Sequence, residues 1–231
     1  MCGRFSLSSD PKALAEQFSL GLDSLPPLAP RYNIAPSQPV VAVKARNVRG
    51  ERELVFLQWG LVPSWAKDPA MGSRMINARA ETAPEKPSFR SAFKRRRCLL
   101  PADGFYEWAK TGNGKQPYHV RRGDGAPFAM AGLWEQWQGA DGSEIISCAI
   151  LTTAANSTMK AIHHRMPVLL FPDEYSLWLE LEERESPERL SLLASREWEG
   201  MEAVPVSTYV NNPSNEGSGC IAPADPPNST A

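Results

Sequence analysis

The stretch CLLPADGFYEW, residues 98–108, decides the fold class. Its apolar and aromatic content predicts a strand over Cys98–Trp108, and Pro117–Arg121 is predicted to pair with it across a turn at residues 111–114. A second hairpin is predicted from Phe128–Trp137 and Ile145–Thr153. Successive hairpins, without regular alternation of strand and helix, indicate a mostly antiparallel sheet.

Shorter elements are predicted outside these hairpins. Strands are expected over residues 40–45, 53–59, 168–171 and 203–207, and helices over residues 10–19, 88–95, 172–181 and 187–196. We therefore predict an α+β fold, with a single domain over residues 1–210. Its sheet is expected to be mixed, mostly antiparallel and open-barrel-like, with short peripheral helices. Residues 211–231 are rich in Pro, Ser, Asn and Gly, which predicts a disordered C-terminal tail.

The composition limits the classes of function. Lys and Arg total 25 against 26 for Asp and Glu, so a large basic nucleic-acid surface is not expected. The near-neutral total charge leaves room for a small, local basic groove. The four cysteines and three histidines lack metal-ligand spacing, so we expect no metal. There is no leader pattern and no apolar run of about 18 residues. We expect a cytoplasmic protein of a reducing compartment, nucleoid-associated if bacterial, with no membrane partner.

The sequence begins MCGRF, with Cys2 directly after the initiator methionine. Because cysteine is small, we expect Met1 to be removed, which would leave Cys2 with a free α-amine beside its thiol. An α-amine has a reference pKa of about 7.7–8 and is partly neutral near pH 7. An aldehyde forms an imine with such an amine, and the thiol then closes a thiazolidine ring. The alternative is an incidental second residue.

Two further stretches offer candidates for chemistry. Glu107 shares one face of the predicted strand with Phe105, and a carboxyl among aromatic rings is a candidate general acid. A surface glutamate is the alternative. His163 and His164 lie in a segment predicted to be extended, where neighbouring side chains point opposite ways and His163 shares a face with Arg165. At most one histidine is then expected to enter a site, and a structural histidine is the alternative.

Arginines lie beside several of these candidates. Asn77 and Arg79 are two residues apart, so a strand would place an amide and a cation on one face. Turn chemistry and a solvated arginine are the alternatives. Arg4 likewise lies two residues after Cys2, and Arg165 lies two residues after His163. The run KRRR, residues 94–97, is the most obvious charge cluster and is expected to form a solvated face.

Six blocks occur in order along the chain: MCGRF (1–5), RYNIAPSQ (31–38), WGLVPSW (59–65), INARAET (76–82), LLPADGFYEW (99–108) and AIHHRMPVLL (161–170). Together they resemble the SRAP family (SOS-response-associated peptidase domain) over about residues 1–215. The resemblance implies a sensor and shield for abasic sites in single-stranded DNA. It implies a thiazolidine DNA–protein crosslink at Cys2, with no metal or organic cofactor. Single-stranded DNA containing abasic sites is then the expected partner of a monomeric protein.

The resemblance also implies roles for individual residues. Glu107 would transfer protons during ring opening and imine formation, His163 would serve the sugar hydroxyl, and Asn77 would hold the backbone of Cys2. The three arginines would contact phosphates, and an exposed tryptophan and a loop would border the strand. The implied DNA-binding residues are Arg4, Asn33, Pro36, Trp65, Arg79 and Arg165.

Two other functions compete with crosslinking. A cysteine-type peptidase or autopeptidase would use Cys2 as nucleophile, His163 as base and Asn77 as orienting residue. Only Met1 precedes Cys2, and a general aminopeptidase removes such a residue, so little substrate is left for self-processing. A non-covalent module for single-stranded DNA would account for the arginines and Trp65, but it leaves Cys2 and Glu107 without a role.

Overall fold

The structure is a computed structural model that describes residues 2–22, 25–112, 114–182 and 186–224. Its strands fall into two sheets. Sheet A contains β1 (Phe5–Leu7), β2 (Arg31–Ile34), β7 (Gly104–Thr111), β8 (Gly114–Arg122) and β13 (Met201–Pro205). The spatial order is β13-β8-β7-β1-β2, and neighbouring strands run antiparallel. The N-terminal strand β1 is therefore an inner strand.

Sheet B closes on itself like a barrel. It contains β3 (Pro39–Ala45), β4 (Arg52–Trp59), β5 (Asn77–Arg79), β6 (Arg97–Ala102), β9 (Phe128–Gln138), β10 (Glu144–Ala154), β11 (Arg165–Pro167) and β12 (Leu169–Leu170). The path runs β11-β10-β4-β3-β6-β9-β12, and a further pairing of β9 with β10 completes a ring. Strands β4 and β5 pair with β10 in parallel, while the other pairs are antiparallel. The predicted mixed, mostly antiparallel α+β fold is confirmed.

Short helices lie around the sheets. They are α1 (Pro11–Phe18), α2 (Arg90–Arg95), α3 (Ser157–Lys160), α4 (Tyr175–Leu179) and α5 (Pro187–Ser191), with 3-10 turns at Pro69–Arg74, Pro172–Glu174, Thr208–Asn211 and Ser218–Ile221. Asp10 caps α1 by accepting from the amide of Lys12 at 2.7 Å. Helix α5 ends at Ser191, before the predicted residue 196, and the Arg196 side chain beyond it is held by Glu174 and by the carbonyl of Leu169.

The continuous strand predicted over residues 98–108 is divided at Asp103. Strand β6 belongs to sheet B and β7 to sheet A, so the chain passes from one sheet to the other at this residue. The Asp103 carboxylate accepts from the backbone amides of Ser8 and Ser9 and from the Ser8 hydroxyl. These bonds join the end of β1 to the crossing point, and they fix β1 beside β7 with Phe5 opposite Phe105.

The two faces of sheet A bury different side chains. Phe5, Phe105 and Val120 point into the main core between the sheets. Tyr106 points the other way, into a second cluster with Val206, Val210 and Cys220. Consecutive side chains along β7 therefore point alternately into the main core and toward the outer face.

The outer face of sheet A is covered by residues 206–224, which we call the C-terminal cover. Val206 bridges to Pro223, and the Asn33 side chain donates to the carbonyls of Asn212 and Asn215 at 3.0 and 2.8 Å. The predicted disorder from Asn211 onward is wrong for residues 211–224. The segment is mostly polar, but its widely spaced residues Val206, Val210 and Cys220 pack against the Tyr106 side chain. This contact holds the segment on the sheet. Residues 225–231 lie outside the described residues.

Candidate functional site

Cys2 lies just before β1 and is buried. Its carbonyl accepts from Asn77 Nδ2 at 2.7 Å, and its Sγ lies 3.8 Å from the carbonyl oxygen of Arg4. Burial raises the pKa of the Cys2 thiol far above its ordinary value, and the nearby Glu107 carboxylate raises it further. Both effects favour the neutral form of the thiol.

Glu107 approaches Cys2 from β7. Phe5 pairs with Phe105, and the amide of Tyr106 donates to the Arg4 carbonyl at 2.9 Å, so the register brings Glu107 level with the start of the chain. The Glu107 side chain is 4% exposed. Sequence alternation placed Glu107 on the Phe105 face, and in the structure Phe105 points into the main core.

Asn77 enters the site from sheet B. It begins β5, where it pairs with Ile150 of the buried strand β10. The Trp59 indole donates to the carbonyl of the preceding residue, Ile76, at 2.9 Å and supports this position. The Asn77 amide thus joins the start of the chain to sheet B at the junction of the two sheets.

The two histidines do not lie in an extended segment. Helix α3 continues into a turn in which the His163 amide donates to the Met159 carbonyl at 2.9 Å. The His163 and His164 rings then stack, with centroids 4.3 Å apart, so the expectation of opposite faces is wrong. His163 Nδ1 accepts from the amide of Arg165 at 3.0 Å, so a neutral ring carries its proton on Nε2. His164 is exposed, and the neighbouring His163 lowers its pKa.

Arg165 is mostly buried and forms an ion pair that sequence reasoning missed. Its guanidinium donates to both carboxylate oxygens of Glu81, at 2.6 and 2.9 Å, and to the buried Thr152. Arg165 lowers the pKa of the Glu81 carboxyl through these hydrogen bonds. Glu81 belongs to the same short block as Asn77 and Arg79, but the sequence holds no signal that it pairs with a residue 84 positions later.

Arg4 is half-buried at the edge of the C-terminal cover. Its Nη1 donates to Asn33 Oδ1 at 2.6 Å and to the Val210 carbonyl at 3.0 Å. Its guanidinium lies 5.8 Å from the ring of Trp108, whose indole donates to Asn211 at 2.7 Å. Burial lowers the pKa of Arg4. Sequence reasoning did not include Trp108 or the cover in the site.

The remaining predicted DNA-binding residues differ in accessibility. Asn33 is fully buried beneath the C-terminal cover, where its side chain bonds to Arg4 and to the Val210 carbonyl, and its contact with DNA stays a prediction. Pro36 is partly exposed in the loop after β2. Arg79 is exposed beside Glu81, and Trp65 is 55% exposed in the loop after β4.

The basic run at residues 94–97 is only partly a solvated face. Arg97 is buried and donates to the carbonyls of Phe93, Lys94 and Trp178, and burial lowers its pKa to about 10. Arg96 pairs with Glu135 at 2.6 Å. Bonds to backbone carbonyls hold Arg97 inward and Glu135 pairs with Arg96, so the run offers less free positive charge than its sequence indicates.

None of the helices in the described part of the chain has the length and apolar character needed to span a bilayer. Among the same residues, no three His, Cys, Asp or Glu side chains are grouped to hold a metal ion. The arrangement defines a class of protein: an α+β domain with a buried cysteine at its start, an amide and a carboxyl beside it, and Arg4 and Arg79 two residues along the chain from Cys2 and Asn77.

Comparisons with known proteins identify the family within this class. The family model described as SOS response associated peptidase (SRAP) matches residues 1–213, and the chain belongs to this family. The chain is 42% identical over 219 residues to the abasic site processing protein YoqW of Bacillus subtilis, covering 93% of this chain and 96% of that protein. It is 32% identical over 234 residues to the abasic site processing protein YedK of Escherichia coli, covering 96% and 100%.

Solved structures share the fold. An X-ray crystal structure of a protein from Bacteroides thetaiotaomicron has a TM-score of 0.83 at 27% sequence identity, and the match covers 96% of this chain and 100% of that chain. A protein from Bordetella bronchiseptica has a TM-score of 0.76 at 26% identity, covering 89% and 100%.

Proposed function

We propose that the protein senses and shields abasic sites in single-stranded DNA by forming a thiazolidine crosslink through Cys2 after Met1 is removed. The observation that carries the proposal is the position of Cys2, fixed through its carbonyl by Asn77 and close to Glu107. Membership of the SRAP family supports it, since relatives across nearly the whole chain are named abasic site processing proteins.

The chemistry needs no external oxidant or reductant. The ring-opened abasic sugar presents an aldehyde, and the Cys2 amine adds to it and releases one water to give an imine. The thiol then adds across the C=N bond, forming the C–S bond while its proton passes to nitrogen. Glu107 serves as the proton-transfer group, because its carboxylate is near enough to the Cys2 thiol to raise the pKa of that thiol.

His163 and the arginines complete the proposed site. His163 acts on the sugar hydroxyl through Nε2, since its Nδ1 is bonded to the Arg165 amide. Arg4, Arg79 and Arg165 hold phosphates, and Trp65 and Pro36 border the strand. Asn33 supports Arg4 from below the surface.

The state of the thiol favours crosslinking over peptidase chemistry. A cysteine peptidase attacks with a thiolate, which requires a lowered pKa. Here burial and Glu107 raise the pKa of Cys2, so the thiol stays protonated until a base takes its proton. In the proposed crosslinking reaction the Cys2 amine reacts first, so the thiol does not have to be ionised when the aldehyde arrives.

The test is a denaturing gel of the mature protein with single-stranded DNA that carries one abasic site. We expect intact mass to lack Met1 and a stable adduct to form without added reductant. Cys2→Ala and protein that retains Met1 are expected to lose this adduct. Cys220→Ala, which removes a thiol from the C-terminal cover, is the matched control and is expected to retain it. An equally stable adduct from Cys2→Ala would rule out the thiazolidine.

A further inference from the structure

The outward edge of Arg165 is already covered by an anion within the protein. Nη1 and Nη2 donate to the two oxygens of Glu81 in a bidentate pair. Nη2 also donates to the hydroxyl of the buried Thr152 at 3.2 Å, and Nε is buried. The Glu81 side chain, in contrast, is 51% exposed. Glu81 therefore lies between the Arg165 guanidinium and the solvent.

A carboxylate and a phosphate compete for the same edge of a guanidinium. Both present two oxygens that match its parallel N–H groups. A glutamate is ordinarily ionised at neutral pH, and the hydrogen bonds from Arg165 lower the pKa of the Glu81 carboxyl further, with Arg79 adding to the effect. A phosphate that takes this edge must displace the carboxylate.

We propose that Glu81 is a specificity-determining residue whose carboxylate occupies the phosphate-binding edge of Arg165 and is displaced when DNA binds. The inference rests on the proposed function, in which Arg165 holds a phosphate. Displacement costs part of the binding free energy on every strand, damaged or not. Glu81 thus weakens binding to undamaged DNA, while an abasic strand is retained by its covalent bond.

The opposite role for Glu81 predicts opposite behaviour. If Glu81 orients Arg165 toward a phosphate bound at another position, removal of its charge loosens Arg165 and weakens DNA binding. If Glu81 covers the phosphate position, removal of its charge strengthens binding. Glu81→Gln separates the two roles because glutamine keeps the size of the side chain but loses the charge.

The experiment measures binding of a short undamaged single-stranded oligonucleotide over a range of salt concentrations. We expect Glu81→Gln to bind about fivefold more tightly than wild type, the size of a partly exposed ion pair. The slope of log affinity against log salt is expected to stay the same, because Arg165 contacts the same phosphate in both proteins and releases the same counterions from the DNA.

Two controls remove general charge effects. Glu85→Gln deletes an exposed carboxylate one turn further along, where the Glu85 amide donates to Thr82, and is expected to change affinity much less. In an Arg165→Gln background, Glu81→Gln is expected to behave like Glu85→Gln. Thermal melts establish folding, and Glu81→Asp, which keeps the charge but shortens the reach, is expected to tighten binding to a smaller extent.

Weaker binding by Glu81→Gln, or an effect equal to that of Glu85→Gln, would overturn the inference. Undamaged DNA carries no aldehyde, so this measurement does not depend on crosslinking. Absence of an adduct with abasic DNA would count against the proposed function and would leave the binding result to decide the role of Glu81.

Discussion

At the scale of single residues, the site depends on a carboxyl that is kept close to a neutral thiol. Glu107 is buried on the core face of β7, and its charge is one cause of the raised pKa of Cys2. A carboxylate in this position is suited to receive the thiol proton and to return it to the nitrogen. In the proposed reaction we therefore expect Glu107 to affect the rate of crosslinking and not the affinity for DNA.

Replacement of Glu107 tests this role. Glu107→Gln keeps the shape of the side chain but cannot exchange a proton, so we expect crosslinking to slow by about 10²-fold, the low end for general acid–base catalysis. Affinity for undamaged DNA should remain the same. Glu202→Gln, an exposed glutamate on β13 that pairs with Arg121, is the matched control. A rate for Glu107→Gln equal to wild type would remove Glu107 from the mechanism.

The sequence predicts site residues well where a regular strand carries them. The face of Glu107 follows from period-two alternation along β7, which the structure keeps. The same alternation does not hold at His163 and His164, because these residues lie in a turn after α3 where their rings stack. The pair of Arg165 with Glu81 was not predictable, since it depends on how β11 and β5 both meet β10.

At the scale of elements, the hairpins were predictable because each is local. Strands β7 and β8 pair through a short turn, as do β9 and β10. The change of sheet at Asp103 was not predictable, because it depends on bonds to Ser8 and Ser9 far away in the chain. The C-terminal cover was missed because composition does not show which apolar surface a polar segment meets.

Truncation tests the C-terminal cover. Removal of residues 206–231 exposes Tyr106 and removes the Val210 carbonyl, which accepts a hydrogen bond from Arg4. Each buried apolar side chain contributes about 1.5–3 kcal/mol, so we expect the melting temperature to fall by about 10 °C or more. Removal of residues 225–231 alone should leave it unchanged. If the longer truncation melts like the full chain, the cover does not stabilise sheet A.

At the scale of the whole molecule, a buried histidine joins the strands of sheet A. His119 on β8 lies 2.9 Å from the Ser6 hydroxyl on β1, and its ring lies 4.8 Å from that of Tyr106 on β7. A Cβ added to Gly104 would lie 2.2 Å from His119 Nε2, so glycine at this position makes room for the ring. Burial, and secondarily Arg121, lowers the pKa of His119 from 6.5 to about 4.

This shift makes stability depend on pH in a defined direction. The folded protein favours neutral His119, so the contribution is fully present above about pH 6.5 and is lost as pH falls through about 4. Its size is about 3 kcal/mol. We expect the melting temperature to fall less steeply between these pH values in His119→Gln than in wild type. Equal steepness would show that His119 is not responsible.

The inner position of β1 has a consequence for synthesis of the chain on the ribosome. Phe5 pairs with Phe105, so β7 is made about a hundred residues after the strand that it covers. At about 5–20 residues per second, this takes about 5–20 s. The first residues thus stay accessible to cellular processing enzymes during that interval, and we expect any removal of Met1 to precede the folding that encloses Cys2.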